Sequence, residues 1–139
     1  MISGYNSDDK VFLAVDCIIF GFDNEDLKVL LIKRDFEPEK GKWSLMGGFL
    51  NKNETLDDAA ARILYRLTGV HDIYLEQLYS FSEVNRDPVE RTISTSYCAI
   101  INIENRNEEL IENFGAKWFS LSNVPNLIFD HEHMVDKAI

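Results

Sequence analysis

The fold is decided between Trp43 and Val70, in W-S-L-M-G-G-F-L-N-K-N-E-T-L-D-D-A-A-A-R-I-L-Y-R-L-T-G-V. The stretch reads as a loop feeding a single helix. Gly47 and Gly48 permit positive φ and a close backbone approach. Thr55 followed by Asp58 is a capping-box-like start, and Asp57 adds negative charge to the first turn, where the helix macrodipole favours it. Leu56, Ala60, Ile63, Leu64 and Leu67 recur at helical spacing, and Gly69 stands where a left-handed residue would close the helix.

Working outward, Val11–Gly21 is apolar and rich in β-branched residues, and F-D-N-E-D after it marks a turn. Leu27–Arg34 reads as the partner strand of a hairpin. Asp35–Lys42 is a charged loop with Pro38 and Gly41. Beyond the helix, Ile73–Glu83 and Thr92–Ile103 are strand candidates joined by a polar loop, Lys117–Leu121 is a short strand, and Asn126–Ile139 has a helical pattern with Asp130 near its start. Met1–Lys10 is polar and reads as a mobile arm. Strands alternating with a few helices predict an α+β domain, a mixed sheet sandwiched between helices, over residues 11–139.

A chain of 139 residues with 45% apolar content is one domain with a sizeable core. With a net charge of −10 the domain is not expected to bind by itself a nucleic-acid backbone, which demands clustered Lys and Arg. Cys17 and Cys98 lie in apolar runs without C-x-x-C spacing, which predicts buried, reduced thiols and a cytoplasmic protein. There is no apolar run of membrane-spanning length and no signal-peptide pattern, so no membrane partner is expected. His71, His131 and His133 lack metal-site spacing.

The spacing Gly48, five residues, Glu54, seven residues, Arg62, then Leu67-Thr68-Gly69-Val70 resembles the Nudix box, G-x5-E-x7-R-E-U-x-E-E-x-G-U with U aliphatic. The preceding W-S-L-M-G-G-F is similar to that family's approach to the box, and the mixed sheet between helices is its architecture. The departures carry the functional reading. Where the family places metal-binding glutamates, this chain has Ile63, Arg66 and Leu67. Nudix hydrolases cut a pyrophosphate by water attack, which needs Mg²⁺ held against an oxygen-rich helix face. A guanidinium holds no hard cation and does not deprotonate. Asp57 and Asp58 lie at least one turn too early to substitute. The resemblance therefore implies a domain without catalytic residues, metal or cofactor, and a metal-dependent pyrophosphohydrolase with displaced ligands is the alternative.

The segments S-E-V-N-R-D-P-V-E-R-T-I-S-T-S-Y-C-A-I-I and A-K-W-F-S-L-S-N-V-P-N-L-I-F-D-H resemble one branch of the family, the Nudix-related transcriptional regulators. The R-D-P turn at Arg86–Pro88 and the F-D-H at Phe129–His131 carry this resemblance. It implies a Nudix domain that forms a homodimer and senses a small molecule, an ADP-ribose-like NAD metabolite or a pentose such as L-arabinose. DNA would be contacted by a C-terminal winged helix-turn-helix. The pattern His131–Ile139 stops without a cap, glycine or polar tail, so the chain is expected to be a fragment that lacks such a module.

The implied pocket lies over the sheet beside the box loop. Asp16 interrupts an apolar strand, and a buried carboxylate needs a partner, with Lys33 one choice. Lys33 and Arg34 point to opposite faces by alternation. Trp43 either packs in the core or stacks on a ligand ring. Glu83, Asn85 and Asp87 could chelate sugar hydroxyls, although Asp87-Pro88 is also turn chemistry. Asp130 and His131 either cap the last helix or reach the pocket. Two phosphates would call on Lys33, Arg34, Arg66 and Arg86. A neutral sugar would suit Asp16, Glu83, Asn85, Asp87 and Trp43, and the overall acidity tips the expectation towards it. A third reading is an interaction module whose pocket is filled by side chains.

Overall fold

The computed structural model describes residues 3–24, 26–35, 37, 39–103 and 115–139. Within them seven strands form one mixed sheet: β1 (Phe12–Phe22), β2 (Leu27–Lys33), β3 (Trp43–Ser44), β4 (Met46–Phe49), β5 (Glu76–Phe81), β6 (Thr92–Asn102) and β7 (Ala116–Ser120). The helices are α1 (Leu56–Thr68) and α2 (His131–Ala138). The expected hairpin is present, with β1 antiparallel to β2, and β1 also runs parallel to β6 along its whole length.

Alternation along β1 assigns its two faces to two helices. Val15, Cys17 and Ile19 pack with Ala59, Ala60, Ile63 and Leu64 of α1. Ile18 and Phe20 pack with Met134 and Val135 of α2. Asp16 has the parity of the second set, which aims its carboxylate at the root of α2. The sheet is thus sandwiched between helices, as the strand and helix pattern predicts.

Helix α1 follows its sequence signals. The Thr55 side chain accepts from the Asp58 N–H at 3.1 Å, and Gly69, at φ 75°, donates its N–H to the Tyr65 carbonyl at 2.8 Å. The stretch before it is not simply a loop. Trp43–Ser44 pairs with β2, and Met46–Phe49 pairs with β1 in the register Asp16↔Gly47. Neither Gly47 nor Gly48 has positive φ. Glycine is required at 47 for room, because a Cβ there would collide with the Asp16 carboxylate.

Two other expectations, the start of the last helix and the burial of Cys98, are corrected. The last helix begins at His131, not Asn126: Leu127 bridges to Trp43, the Ile128 N–H donates to the Trp43 carbonyl at 3.2 Å, and Phe129 takes a left-handed φ of 48°, which no helix tolerates. Ser7–Asp9 in the N-terminal arm forms a 3-10 turn capped by Asn6. Cys17 is fully buried and donates to the Ala60 carbonyl, but Cys98 is only partly buried; both thiols are free. Among the described residues no helix is long and apolar enough to cross a membrane.

Candidate functional site

β1 changes partner midway, pairing with β4 over Ala14–Cys17 and with β2 over Phe20–Phe22. A cavity of about 1280 Å³ lies here, lined by these three strands, the inner edge of α1, the turn at Arg86–Asp87 and the root of α2. Among the described residues no side chain fills it, and it exceeds the range of about 300–1000 Å³ usual for small-molecule sites. Two smaller recesses, of about 670 and 480 Å³, lie elsewhere on the surface.

At the cavity floor Asp16 accepts a hydrogen bond from Ser94 Oγ at 2.6 Å and lies 3.4 Å from His131 Nε2. These, and not Lys33, are its partners. His131 Nδ1 accepts the Leu45 N–H at 3.1 Å, so the ring proton sits on Nε2 and faces Asp16. Burial holds the His131 pKa below its ordinary value against the pull of Asp16 and Asp130, and the ring is neutral at physiological pH. Asp130 does not cap α2 with its side chain. It accepts two hydrogen bonds from Arg86, Nε at 2.8 Å and a terminal nitrogen at 2.7 Å. The R-D-P turn and the F-D-H tripeptide are thus joined across 44 residues by one ion pair. Burial disfavours the charge on Arg86, and Asp130 more than restores it, so its pKa lies above the ordinary arginine value.

The edge contributed by α1 explains what became of the box. Glu54 accepts from Arg62 at 2.6 and 3.0 Å and from the Asn51 N–H at 2.8 Å, while Arg62 also donates to the Phe49 carbonyl. These bonds hold the Glu54 carboxyl below the usual carboxylate range. Ile63 is buried in the core against Gly48, Leu67 is half-buried, and Arg66 is exposed at the rim. Asp57 accepts from the Tyr97 hydroxyl, and neither Asp57 nor Asp58 lines the cavity. Glu54 alone, already neutralised by a guanidinium, does not make a Mg²⁺ site. Among the described residues no cluster of three His, Cys, Asp or Glu side chains could hold a metal.

Of the residues expected to meet a ligand, Asp16, Lys33 and Asp87 line the cavity. Glu83 and Asn85 do not: they line the separate recess of about 480 Å³, beyond Arg86. Trp43 packs edge-on against Phe119 at 4.8 Å and belongs to the apolar cluster around α2. Arg34, Arg66 and Arg86, which the sequence marks as phosphate donors, all line the cavity. Arg62, Lys40, Phe49 and Phe129 join them, although none was expected to meet a ligand. Six Lys and Arg side chains line it against four Asp and Glu (Asp16, Asp35, Glu37, Asp87), and two of the six, Arg62 and Arg86, are paired with Glu54 and Asp130 behind the lining, so the wall is rich in guanidiniums.

Residues 10–138 match the family described as the NUDIX domain. The chain is 33% identical over 130 residues to the ADPR responsive transcriptional repressor NtrR of Acinetobacter baylyi, covering 91% of this chain and 52% of the repressor. It is 36% identical over 124 residues to the ADP-ribose pyrophosphatase of Methanocaldococcus jannaschii, covering 88% of this chain and 70% of the enzyme. The NUDIX domain of Shewanella oneidensis NrtR, solved in complex with ADP ribose, superposes with a TM-score of 0.80 at 29% identity, over 98% of this chain and 92% of that one. The chain spans about half the length of the Acinetobacter repressor.

Proposed function

The chain belongs to the NUDIX domain family, and from that premise we propose that its cavity binds an ADP-ribose-type effector without hydrolysing it, as the sensing domain of a transcriptional regulator. The observation that carries this reading is the set of guanidiniums around the cavity. An acidic chain has gathered Arg34, Arg62, Arg66 and Arg86 around one space and removed the carboxylates that would hold Mg²⁺. Guanidiniums match the paired oxygens of a diphosphate, and a neutral pentose has no such oxygens to offer them. The expectation therefore moves from the sugar to the ADP-ribose-type ligand. Asp16 and Asp87 remain the acceptors for ribose hydroxyls, with Lys33 at the rim, and Phe49 and Phe129 offer rings to a base. The similarity to an ADPR responsive repressor and to an ADP-ribose-bound NUDIX domain supports the same ligand class.

As a regulator, the protein would contact DNA outside this acidic domain, and the domain would form a homodimer, which sedimentation at micromolar concentration tests. The similarity to an ADP-ribose pyrophosphatase, together with the retained Glu54, favours one second reading, hydrolysis. Calorimetric titration with ADP-ribose, in Mg²⁺ and in EDTA, followed by chromatography of the ligand, separates the two. Equal affinity in both buffers with ADP-ribose recovered intact is expected. Mg²⁺-dependent release of AMP and ribose 5-phosphate would establish the enzyme.

A further inference from the structure

The Arg86–Asp130 pair has an odd geometry for a structural ion pair. The Arg86 side chain is only 4% exposed, and desolvating a guanidinium that far makes a paired charge a weak stabiliser at best. Arg86 forms part of the wall of the main cavity, whereas Asp130 lies behind it, in the neighbouring recess. Asp130 takes the side-on edge of the guanidinium, Nε and one terminal nitrogen, and the other terminal nitrogen makes a long contact, 3.4 Å, to the Thr92 carbonyl. A guanidinium has five N–H groups, so one hydrogen on each terminal nitrogen remains undirected by these bonds. The end-on edge of a guanidinium, next to the edge that Asp130 takes, carries one hydrogen from each terminal nitrogen at a spacing that matches two oxygens of a phosphate.

We propose that Asp130 is a positioning residue, which grips Arg86 from behind so that its end-on fork is presented to the diphosphate of the ligand. The inference rests on the effector reading above and deepens it. It also gives the two tripeptides one shared role: R-D-P supplies the fork and F-D-H supplies the grip. Asp130 is itself held in place, by the left-handed Phe129 before it and, after it, by His131, which accepts from the Leu45 N–H and lies 3.4 Å from Asp16.

The test is a double-mutant cycle on the full chain, read by calorimetry with ADP-ribose and with inorganic pyrophosphate, alongside the melting temperature. Asp130→Asn and Arg86→Lys should each weaken both ligands roughly ten- to a hundred-fold, the range for a lost charge-assisted hydrogen bond. In the Arg86→Lys background, Asp130→Asn should add nothing, because Asp130 acts only through the fork. Asp130→Glu, which keeps the pair but displaces it by a methylene, should give an intermediate loss and serves where the asparagine variant does not fold. An unchanged affinity in Asp130→Asn, or losses that simply add in the double variant, overturn the proposal. Wild-type protein that binds pyrophosphate but not ADP-ribose keeps the fork and overturns the effector reading. Wild-type protein that binds neither overturns both.

Discussion

Returning a glutamate to the box shows most directly what the substitutions have done. Ile63 is 2% exposed and packs in the cluster of Val15, Cys17, Ala60 and Leu64, with its side chain 3.0 Å from where a Cβ on Gly48 would sit. Ile63→Glu forfeits burial worth about 1.5–3 kcal/mol. The carboxylate must then either be charged in that cluster or take up a proton, and near neutral pH protonation costs at most about 4 kcal/mol against an ordinary pKa of about 4.3. Arg66, three residues on but exposed, returns no more than about 1 kcal/mol. The net loss is about 3–6 kcal/mol, or roughly 10–20 °C in melting temperature for a domain of this size. The pH dependence has a definite sign. The buried glutamate's folded pKa is raised, so its penalty is fully present above that value and is relieved as pH falls towards the unfolded value. Between about pH 7 and pH 5 the gap to wild type should narrow by up to about 2.7 kcal/mol. Ile63→Gln, which cannot titrate, should show no narrowing. Thermal denaturation of the three proteins at both pH values, with and without Mg²⁺, is the assay. A gap that Mg²⁺ closes would falsify the reasoning, because it would mean that the α1 edge still offers a metal its remaining ligands.

Other expectations follow from single contacts. Gly47→Ala drives a methyl group into the Asp16 carboxylate and should cost about 1–3 kcal/mol by thermal melting, with weaker ligand binding as Asp16 is displaced. The depressed Glu54 pKa contributes stability that is present above the ordinary carboxylate range and lost as pH falls through the folded value; Glu54→Gln should flatten that acid limb in denaturant titrations. For His131 the folded pKa is also depressed, so stability is complete above about pH 6.5 and declines below it. His131→Phe should remove this slope while costing about 1–3 kcal/mol for the Leu45 N–H left without an acceptor. Trp43→Leu should lower the melting temperature through the lost contact with Phe119, yet leave ADP-ribose affinity unchanged by calorimetry.

What the sequence reveals is what is local in it. The hairpin announces itself by two β-branched runs around F-D-N-E-D, and α1 by Thr55 and Gly69, because turn and cap chemistry acts over a few residues. β3 and β4 escape such reading. W-S and M-G-G-F have neither the length nor the alternation of strands, and they are held only by pairing with β2 and β1. The start of α2 is likewise set from outside, by the bridge from Leu127 to Trp43. Asp16 is visible as a carboxylate in need of a partner, but Ser94 and His131 come to it from 78 and 115 positions away in the chain, so the nearby Lys33 looks the better candidate. The same limit separates Asp87 from Glu83 and Asn85. One polar loop holds all three, yet Arg86, drawn to Asp130, divides it between two recesses.

The contrast between the guanidiniums of the cavity and the acidity of the chain bears on how fast an anion comes and goes. Far from the domain it meets the field of a body of net −10 and is turned away; only inside the mouth do the guanidiniums attract it. Salt shortens the reach of every charge, to about 10 Å at 0.1 M, and extinguishes the distant repulsion before the close attraction. Moderate ionic strength should therefore quicken arrival, while weaker contacts inside hasten departure. The occupant turns over faster in salt at both steps, and the acidity that at first sight argues against an anionic ligand acts as a brake on its exchange.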